Sequence, residues 1–89
     1  MKMLVYSAFD KKAKDHQGLT LAPNDEVAVR WFKEGVPGSG TPMEKYPEDF
    51  QLRCVGEFDT TAGDLIGEGS RLVVELEALL QAGPHKGLS

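Results

Sequence analysis

The chain has 89 residues, 40% of them hydrophobic, and a formal net charge of −4 at pH 7. This length allows one small domain, and the ordinary apolar content argues against a disordered chain. The negative charge argues against a protein that coats nucleic acid non-specifically. No apolar run approaches the roughly 20 residues of a membrane-spanning helix. The single cysteine, Cys54, excludes an internal disulfide framework and suits a reducing compartment.

The N-terminal segment predicts a strand over residues 3–9. Both of its faces are apolar, with Met3, Val5 and Phe9 on one and Leu4, Tyr6 and Ala8 on the other. This pattern is typical of an interior strand covered on both sides. Residues 10–18 predict a polar turn or loop, and residues 18–22 predict a short returning strand.

A helix is predicted over residues 24–34. Asn24 is a suitable N-cap, and Asp25 and Glu26 suit the positive end of the helix dipole. Helical spacing predicts that one stripe of the helix packs across the sheet. The members of this stripe are Val27, Ala28, Trp31, Phe32 and Gly35. Gly35 is also expected to end the helix.

Residues 35–42 are rich in glycine and proline. We interpret them as a surface connection rather than a phosphate-binding loop, because no lysine follows the last glycine and no strand directly precedes the segment. Residues 43–46 predict a single helical turn before the next strand.

The strand predicted over residues 50–58 has the clearest period-two pattern in the chain. The pattern predicts that alternate residues from Leu52 to Phe58, including Cys54 and Gly56, face the core. Arg53, Val55 and Glu57 would then face the opposite side. Residues 59–63 predict a tight turn, and residues 64–69 predict a hairpin arm.

Two interpretations remain for residues 70–82. Leucines at helical spacing after Ser70 indicate a helix, whereas the β-prone run Leu72-Val73-Val74 indicates a strand that continues into a helix. We expect a single domain over residues 1–82 and a disordered tail over residues 83–89.

A short pattern in the first half of the chain recurs in the second. Phe9, Asp10, Ala13 and Asp15 are repeated 49 residues later as Phe58, Asp59, Ala62 and Asp64. The predicted fold class is therefore α+β: a small antiparallel sheet with one or two helices packed on one face. Two strand-turn-strand-helix halves would explain the repeat. The exposed edge of such a small sheet favours a homodimer that pairs its edges across a two-fold axis.

Catalytic chemistry finds little support in the sequence. His16 and His85 have no cysteine or carboxylate arranged around them as in a triad, and Cys54 is expected in the core. Glu57 and Asp59 fall on one strand face, where a solvated edge is favoured over a paired-carboxylate site. Because the histidines and the cysteine are widely scattered, no metal-binding spacing appears. We expect no enzyme, no metal and no cofactor.

One basic surface is the candidate binding site. Lys11, Lys12 and Lys14 crowd one predicted turn, and Arg30 and Lys33 line the exposed side of the predicted helix. If the two groups converge, five cations can contact phosphates; a solvated surface with no ligand is the alternative. Residues 1–33 carry a net charge of +2 and the remainder −6. The acidic second half is therefore a second candidate surface, for a protein partner.

Four sequence blocks, taken in order, carry a resemblance to a known family. They are residues 6–13 (YSAFDKKA), 24–32 (NDEVAVRWF), 46–52 (YPEDFQL), and 55–59 (VGEFD) followed by 61–63 (TAG). Together they cover roughly residues 3–63. In order and spacing they resemble the small nonstructural protein of gokushovirus-type microviruses (Microviridae), which are single-stranded DNA phages.

The resemblance implies a non-enzymatic nonstructural phage protein in the host cytoplasm. It implies DNA binding, with single-stranded DNA favoured, in phage DNA replication or handling. Lys11 and Lys12 match the opening block and Arg30 matches the helix block. The alternative function is a protein-interaction module that regulates a replication or assembly factor, of phage or host, through its acidic C-terminal half. A third, weaker alternative is a minor structural component of the virion.

Overall fold

A computed structural model describes residues 1–81 of the chain, so the predicted tail at residues 83–89 lies outside the described residues. Four strands run over Lys2–Asp10 (β1), Asp15–Ala22 (β2), Phe50–Asp59 (β3) and Asp64–Glu75 (β4). The helices run over Asp25–Gly35 (α1), Pro42–Lys45 (α2) and Leu76–Gln81 (α3), and a 3₁₀ turn over Pro47–Asp49 precedes β3.

The four strands form one antiparallel sheet in the order β2-β1-β3-β4. Each outer strand is the hairpin partner of a central strand, and the two central strands pair along their whole length, from Lys2 opposite Asp59 to Asp10 opposite Phe50. The sheet with its short helices confirms the predicted α+β class.

The helices pack on one face of this sheet, because the side chains that alternate inward along β1 meet α1 and α3. Tyr6, Ala22, Ala28, Leu52 and Cys54 form one buried cluster there. A second cluster joins the sheet to α3; its members are Ala8, Phe50, Leu76 and Leu79. The prediction that Cys54 is a core residue is confirmed.

The opposite face of the sheet is covered by no helix among residues 1–81, and we call it the open face. Side chains on directly opposite positions of neighbouring strands share a face. The pairings therefore place four rows of side chains on the open face. These rows are Val5 with Leu21, Ser7 with Arg53 and Leu72, Phe9 with His16 and Gln51, and Phe58 with Leu65. Val5 and Ser7, on the open face of β1, are each only 2% exposed, and Tyr6 and Ala8 are buried on the other face. The prediction that β1 is an interior strand covered on both sides is therefore confirmed, although no helix among the described residues lies over the open face.

Along β3 the predicted alternation breaks in the middle. The register against β1 shifts between Val5 and Tyr6, which leaves Val55 as the extra residue of a β-bulge. After the bulge, Gly56 and Phe58 pair with the open-face residues Val5 and Met3. The prediction that Gly56 and Phe58 share a face with Leu52 and Cys54 is therefore wrong.

The helix α1 begins as predicted and ends one residue later. The side chain of Asn24 accepts a hydrogen bond from the backbone nitrogen of Val27 at 2.9 Å, which confirms the N-cap. The buried stripe is narrower than predicted. Phe32 packs against the core, but Trp31 is 45% exposed and Gly35 is exposed. Trp31 lies at the flank of the sheet beside Thr20 of the edge strand β2, where too little sheet remains to cover it.

The segment after Gly63 is a strand that continues into a helix, so of the two interpretations the second is correct. β4 extends to Glu75, and α3 then buries Leu76 and Leu79. Leu72, which helical spacing grouped with these leucines, lies on the open face and is 47% exposed. Each half of the chain is thus a hairpin followed by a helix, as the internal repeat predicts.

Candidate nucleic-acid interface

The turn between β1 and β2 is built around Asp10. Its carboxylate oxygen Oδ1 accepts hydrogen bonds from the backbone nitrogens of Lys12 (2.9 Å) and Ala13 (3.1 Å), and its carbonyl accepts one from the nitrogen of Lys14 at 2.7 Å. The backbone nitrogen of Lys11 donates to the carbonyl of Asp49 at 2.8 Å. These bonds fix the backbone of the turn, so the lysine side chains project from a rigid frame.

The turn between β3 and β4 has the same construction. Oδ1 of Asp59 accepts from the nitrogens of Thr61 (2.9 Å) and Ala62 (3.2 Å), and its carbonyl accepts from Gly63 at 2.8 Å. These backbone hydrogen bonds hold the pKa of Asp59 below its ordinary value. The repeat in the sequence therefore corresponds to a repeated turn, but only the first copy carries lysines.

Lys14 occupies the backbone position of this turn that is most strained for a residue with a side chain. Its φ is 57°, and the equivalent residue of the second turn is Gly63, with a φ of 77°. Glycine tolerates this left-handed region, whereas a residue with a Cβ is strained there. The geometry of the turn therefore favours glycine, and the lysine at this position needs another explanation.

The three lysines of the turn differ in their surroundings. The ammonium of Lys11 lies 2.8 Å from Oε1 of Glu75 and forms an ion pair that lowers the pKa of Glu75. No ion pair within residues 1–81 involves Lys12 or Lys14, and both are exposed. Two exposed cations without an ion pair among the described residues are therefore carried by this one turn.

Glu75 also connects the turn to the open face. Its Oε2 accepts from Nε2 of Gln51 at 2.8 Å, and Oε1 of Gln51 accepts from Nη1 of Arg53 at 2.8 Å. The guanidinium of Arg53 donates further to the hydroxyl and the carbonyl of Ser70. This chain of polar contacts runs from Lys11 to Glu75 on β4, then to Gln51 and Arg53 on β3, and returns to Ser70 on β4.

The two predicted cations on the helix lie on a different element from the lysine turn. Arg30 is exposed beside Glu26 and Val27 on the outer side of α1, and Lys33 is half-buried in the last turn of that helix. The structure thus brings Lys11, Lys12 and Lys14 together on one turn and places Arg30 and Lys33 on α1. The convergence of the two groups on one ligand stays a prediction.

A second charged cluster joins the two halves on the helix-covered side. The hydroxyl of Tyr6 donates to Oδ1 of Asp25 at 2.6 Å, and Arg71 donates from both terminal nitrogens to the same carboxylate at 2.9 and 3.0 Å. Burial, and then the bond to Asp25, raise the pKa of Tyr6. The bonds from Arg71 and Tyr6 lower the pKa of Asp25. Neither group is set for proton transfer near neutral pH, so the cluster acts as a structural tie between α1, β1 and β4.

Sequence reasoning missed the partners of these clusters. Arg71 and Glu75 lie on β4, a strand whose length and face the sequence left open. Their partners are 46 and 64 residues away along the chain. The only local sign of the cluster around Asp25 was the pair of acidic residues at the start of α1. That pair indicated only that the charge of Asp25 suits the positive end of the helix dipole.

An apolar groove of about 280 Å³ lies between α1 and the loop that follows it. Trp31, Phe32, Val36 and Met43 contribute its apolar lining, and Thr20 contributes a hydroxyl. The side chain of Glu44 fixes the loop by accepting from the backbone nitrogens of Gly38 and Gly40, which lowers its pKa. Among residues 1–81 no group of three histidine, cysteine or acidic side chains is placed to hold a metal ion.

No helix in the described part of the chain is long and apolar enough to cross a membrane. The fold and the turn together define a small two-layer α+β protein with a lysine-bearing hairpin. The model of the Phage ORF5 protein family matches residues 3–79, and the chain belongs to that family. It is 37% identical over 67 residues to Protein ORF5 of Chlamydia phage 1, a microvirus of the gokushovirus group. That match covers 71% of this chain and 70% of the relative. No solved structure matches the chain.

Proposed function

We propose that this member of the Phage ORF5 protein family is a nonstructural, non-enzymatic DNA-handling protein that binds single-stranded phage DNA through the lysine turn during replication or handling of the genome. The observation that carries the proposal is Lys14. It holds a left-handed position that the twin turn gives to Gly63. Lys12 is on the same turn, and neither lysine has an ion pair among the described residues. Two cations on one rigid turn form a local site for backbone phosphates.

The negative net charge restricts this function to local contacts. A chain of charge −4 has no surplus of cations to attract DNA from every side. Binding would therefore depend on a few phosphates and would weaken with salt in proportion to their number. For single strands, the logarithm of the binding constant falls with that of the salt concentration by about 0.7 for each phosphate contacted. A slope of about −1.4 would indicate Lys12 and Lys14 alone, and about −3.5 all five cations.

The test is fluorescence anisotropy of labelled single-stranded DNA at low and at physiological salt. We expect saturable binding at low salt that Lys12→Glu weakens about tenfold, with a shallower salt dependence. Lys12 suits the test because its backbone nitrogen, not its side chain, bonds to Asp10. Lys45→Glu is the matched control, since it makes the same charge change at an exposed lysine on α2. Absence of binding at low salt, or equal loss in both variants, would contradict the proposal.

Trp31 can show in the same titration whether DNA reaches α1. It is the chain's one tryptophan, it follows Arg30 in the sequence, and its indole is 45% exposed. Quenching of its emission would support a site that includes Arg30 and Lys33. Binding without quenching would restrict the site to the turn.

The alternative of a protein-interaction module finds less support, because several carboxylates of the acidic half serve local structure. Glu44 holds its loop, Asp59 its turn, and Glu75 the ion pair with Lys11. Capture of a phage or host replication protein by the wild-type chain but not by the Lys12→Glu chain would instead assign the lysine turn to a protein partner.

A further inference from the structure

We propose that the open face of the sheet is the interface of a homodimer, in which two copies pack their sheets face to face. The face carries apolar side chains that the fold leaves uncovered. Leu21 of β2 is 38% exposed, and Leu65 and Leu72 of β4 are 62% and 47% exposed. They flank the half-buried rings of Phe9 and Phe58, while Val5 between them is already buried and Arg53 and Gln51 cross the face. Exposed leucines gathered on one face that no helix covers mark an interaction site.

The edges of the sheet are less suited to pairing than this face. The edge strand β2 is irregular where its register against β1 shifts between Tyr6 and Ala8. The other edge, β4, shifts its register against β3 twice, between Leu52 and Arg53 and between Cys54 and Gly56. Bulges of this kind twist an edge away from a straight partner strand. The structure therefore favours packing through the face over the predicted pairing of edges.

The size of the open face agrees with a second copy as its occupant. Strands lie about 4.8 Å apart and rise about 3.3 Å per residue, so a face four strands wide and eight residues long covers roughly 500 Å². Two such faces together bury about 1,000 Å², the lower limit of a specific interface. Sheets pack in this way about 10 Å apart at about −30°, which would set the leucines of one copy's outer strands over the other copy.

The charges on the open face also permit self-association. A face with charges of one sign would repel an identical face. Here the ammonium of Lys11 is neutralised by Glu75, and the guanidinium of Arg53 donates to Gln51 and Ser70. The ion pair cancels the charge of Lys11. Arg53 keeps its charge, but its hydrogen bonds to Gln51 and Ser70 satisfy donors that would otherwise lose water when two copies approach.

The experiment is sedimentation equilibrium of the purified chain over a range of concentrations. We expect a dimer for the wild type and a dissociation constant raised about 30-fold or more by Leu72→Glu, because the charge would be buried in the interface. Leu21→Glu, on the other outer strand, should act in the same way. Circular dichroism of both variants should remain that of the wild type, since both side chains are partly exposed.

Ile66→Glu is the matched control. Ile66 lies on the same strand and is also 47% exposed, but it pairs with Glu57, which lies opposite Leu4 on the helix-covered side. The Ile66→Glu substitution should therefore leave the dimer intact. A monomeric wild type would overturn the proposal and leave the face to another partner. Dimers that persist in Leu72→Glu and Leu21→Glu, or that Ile66→Glu disrupts equally, would overturn it as well.

Discussion

Gly56 shows how closely one residue is constrained by its neighbour strand. A Cβ built on Gly56 would overlap the backbone oxygen of Ile66, whereas one built on Gly67, directly opposite, would meet nothing within 4 Å. Neither glycine has a positive φ, so the difference between them is one of space alone. The β-bulge at Val55 and this close approach of β4 lie side by side in the sheet.

We therefore expect Gly56→Ala to lower the free energy of unfolding by about 2 kcal/mol, because the backbone of β4 must shift to admit the methyl group. Urea denaturation followed by circular dichroism measures this change. Gly67→Ala is the control and should change stability by less than about 0.5 kcal/mol. Equal effects of the two substitutions would show that β4 does not lie this close to Gly56.

Single residues were predictable from the sequence where one local rule decided their role. Asn24 follows from capping chemistry, and Cys54 follows from alternation along a strand. Trp31 was not predictable, because helical spacing gives the direction of a stripe but not the width of the sheet beneath it. Phe58 was not predictable either, since the bulge that turns it to the open face leaves no mark in the sequence.

At the scale of elements, the residues at one equivalent position of the two hairpin turns can be exchanged by mutation. They share their hydrogen bonds and differ at the left-handed position, where one has Lys14 and the other Gly63. We expect Lys14→Gly to raise the free energy of unfolding by up to about 1 kcal/mol, because it relieves the strain of a Cβ at positive φ. Gly63→Lys should lower it by a similar amount.

Thermal unfolding of the two variants measures the change in stability. Lys12→Gly is the control for the loss of one lysine from the turn. Under the proposed function, Lys14→Gly should also weaken DNA binding while it stabilises the fold. A destabilised Lys14→Gly chain would mean that the side chain of Lys14 makes a stabilising contact in solution.

The elements themselves were largely predictable, and their contacts were not. The period-two alternation of apolar residues predicted the strands. The N-cap residue and the helical spacing of apolar residues predicted α1. The lysine turn could be predicted because Lys11, Lys12 and Lys14 are neighbours in the chain. The ion pair of Lys11 with Glu75 could not, since it depends on where β4 ends. The ion pair between Asp25 and Arg71 was unpredictable for the same reason, because it depends on the position of β4.

At the scale of the whole molecule, acid should be the condition that destabilises the fold. The pKa values of Asp25, Glu44, Asp59 and Glu75 are all lowered in the folded chain by hydrogen bonds from cations or backbone nitrogens. A carboxyl group with a lowered folded pKa contributes stability above its unfolded pKa, and this contribution is lost as the pH falls through the folded value. The direction is the same for all four groups, so their losses reinforce one another.

We therefore expect the urea midpoint to change little between pH 7 and about pH 5.5 and to fall steadily below about pH 4.5, near the ordinary pKa values of these groups. Denaturation curves at a series of pH values, at constant ionic strength, measure this. In Asp25→Asn the fall should be shallower, because one of the four groups no longer titrates. Stability that rises between pH 4.5 and pH 3 would contradict the assignment.

The strand order has a consequence for how the chain folds. Each hairpin closes over a four-residue turn, so its two strands meet early and at little cost in loop entropy. The pairing of β1 with β3 joins residues from 40 to 57 positions apart and must wait for the longer closure. Relative contact order, which governs folding rates, is therefore set by the central pair of strands rather than by the hairpins. The ion pair of Asp25 with Arg71 joins the same two halves. We therefore expect the contacts that hold the halves together to form last.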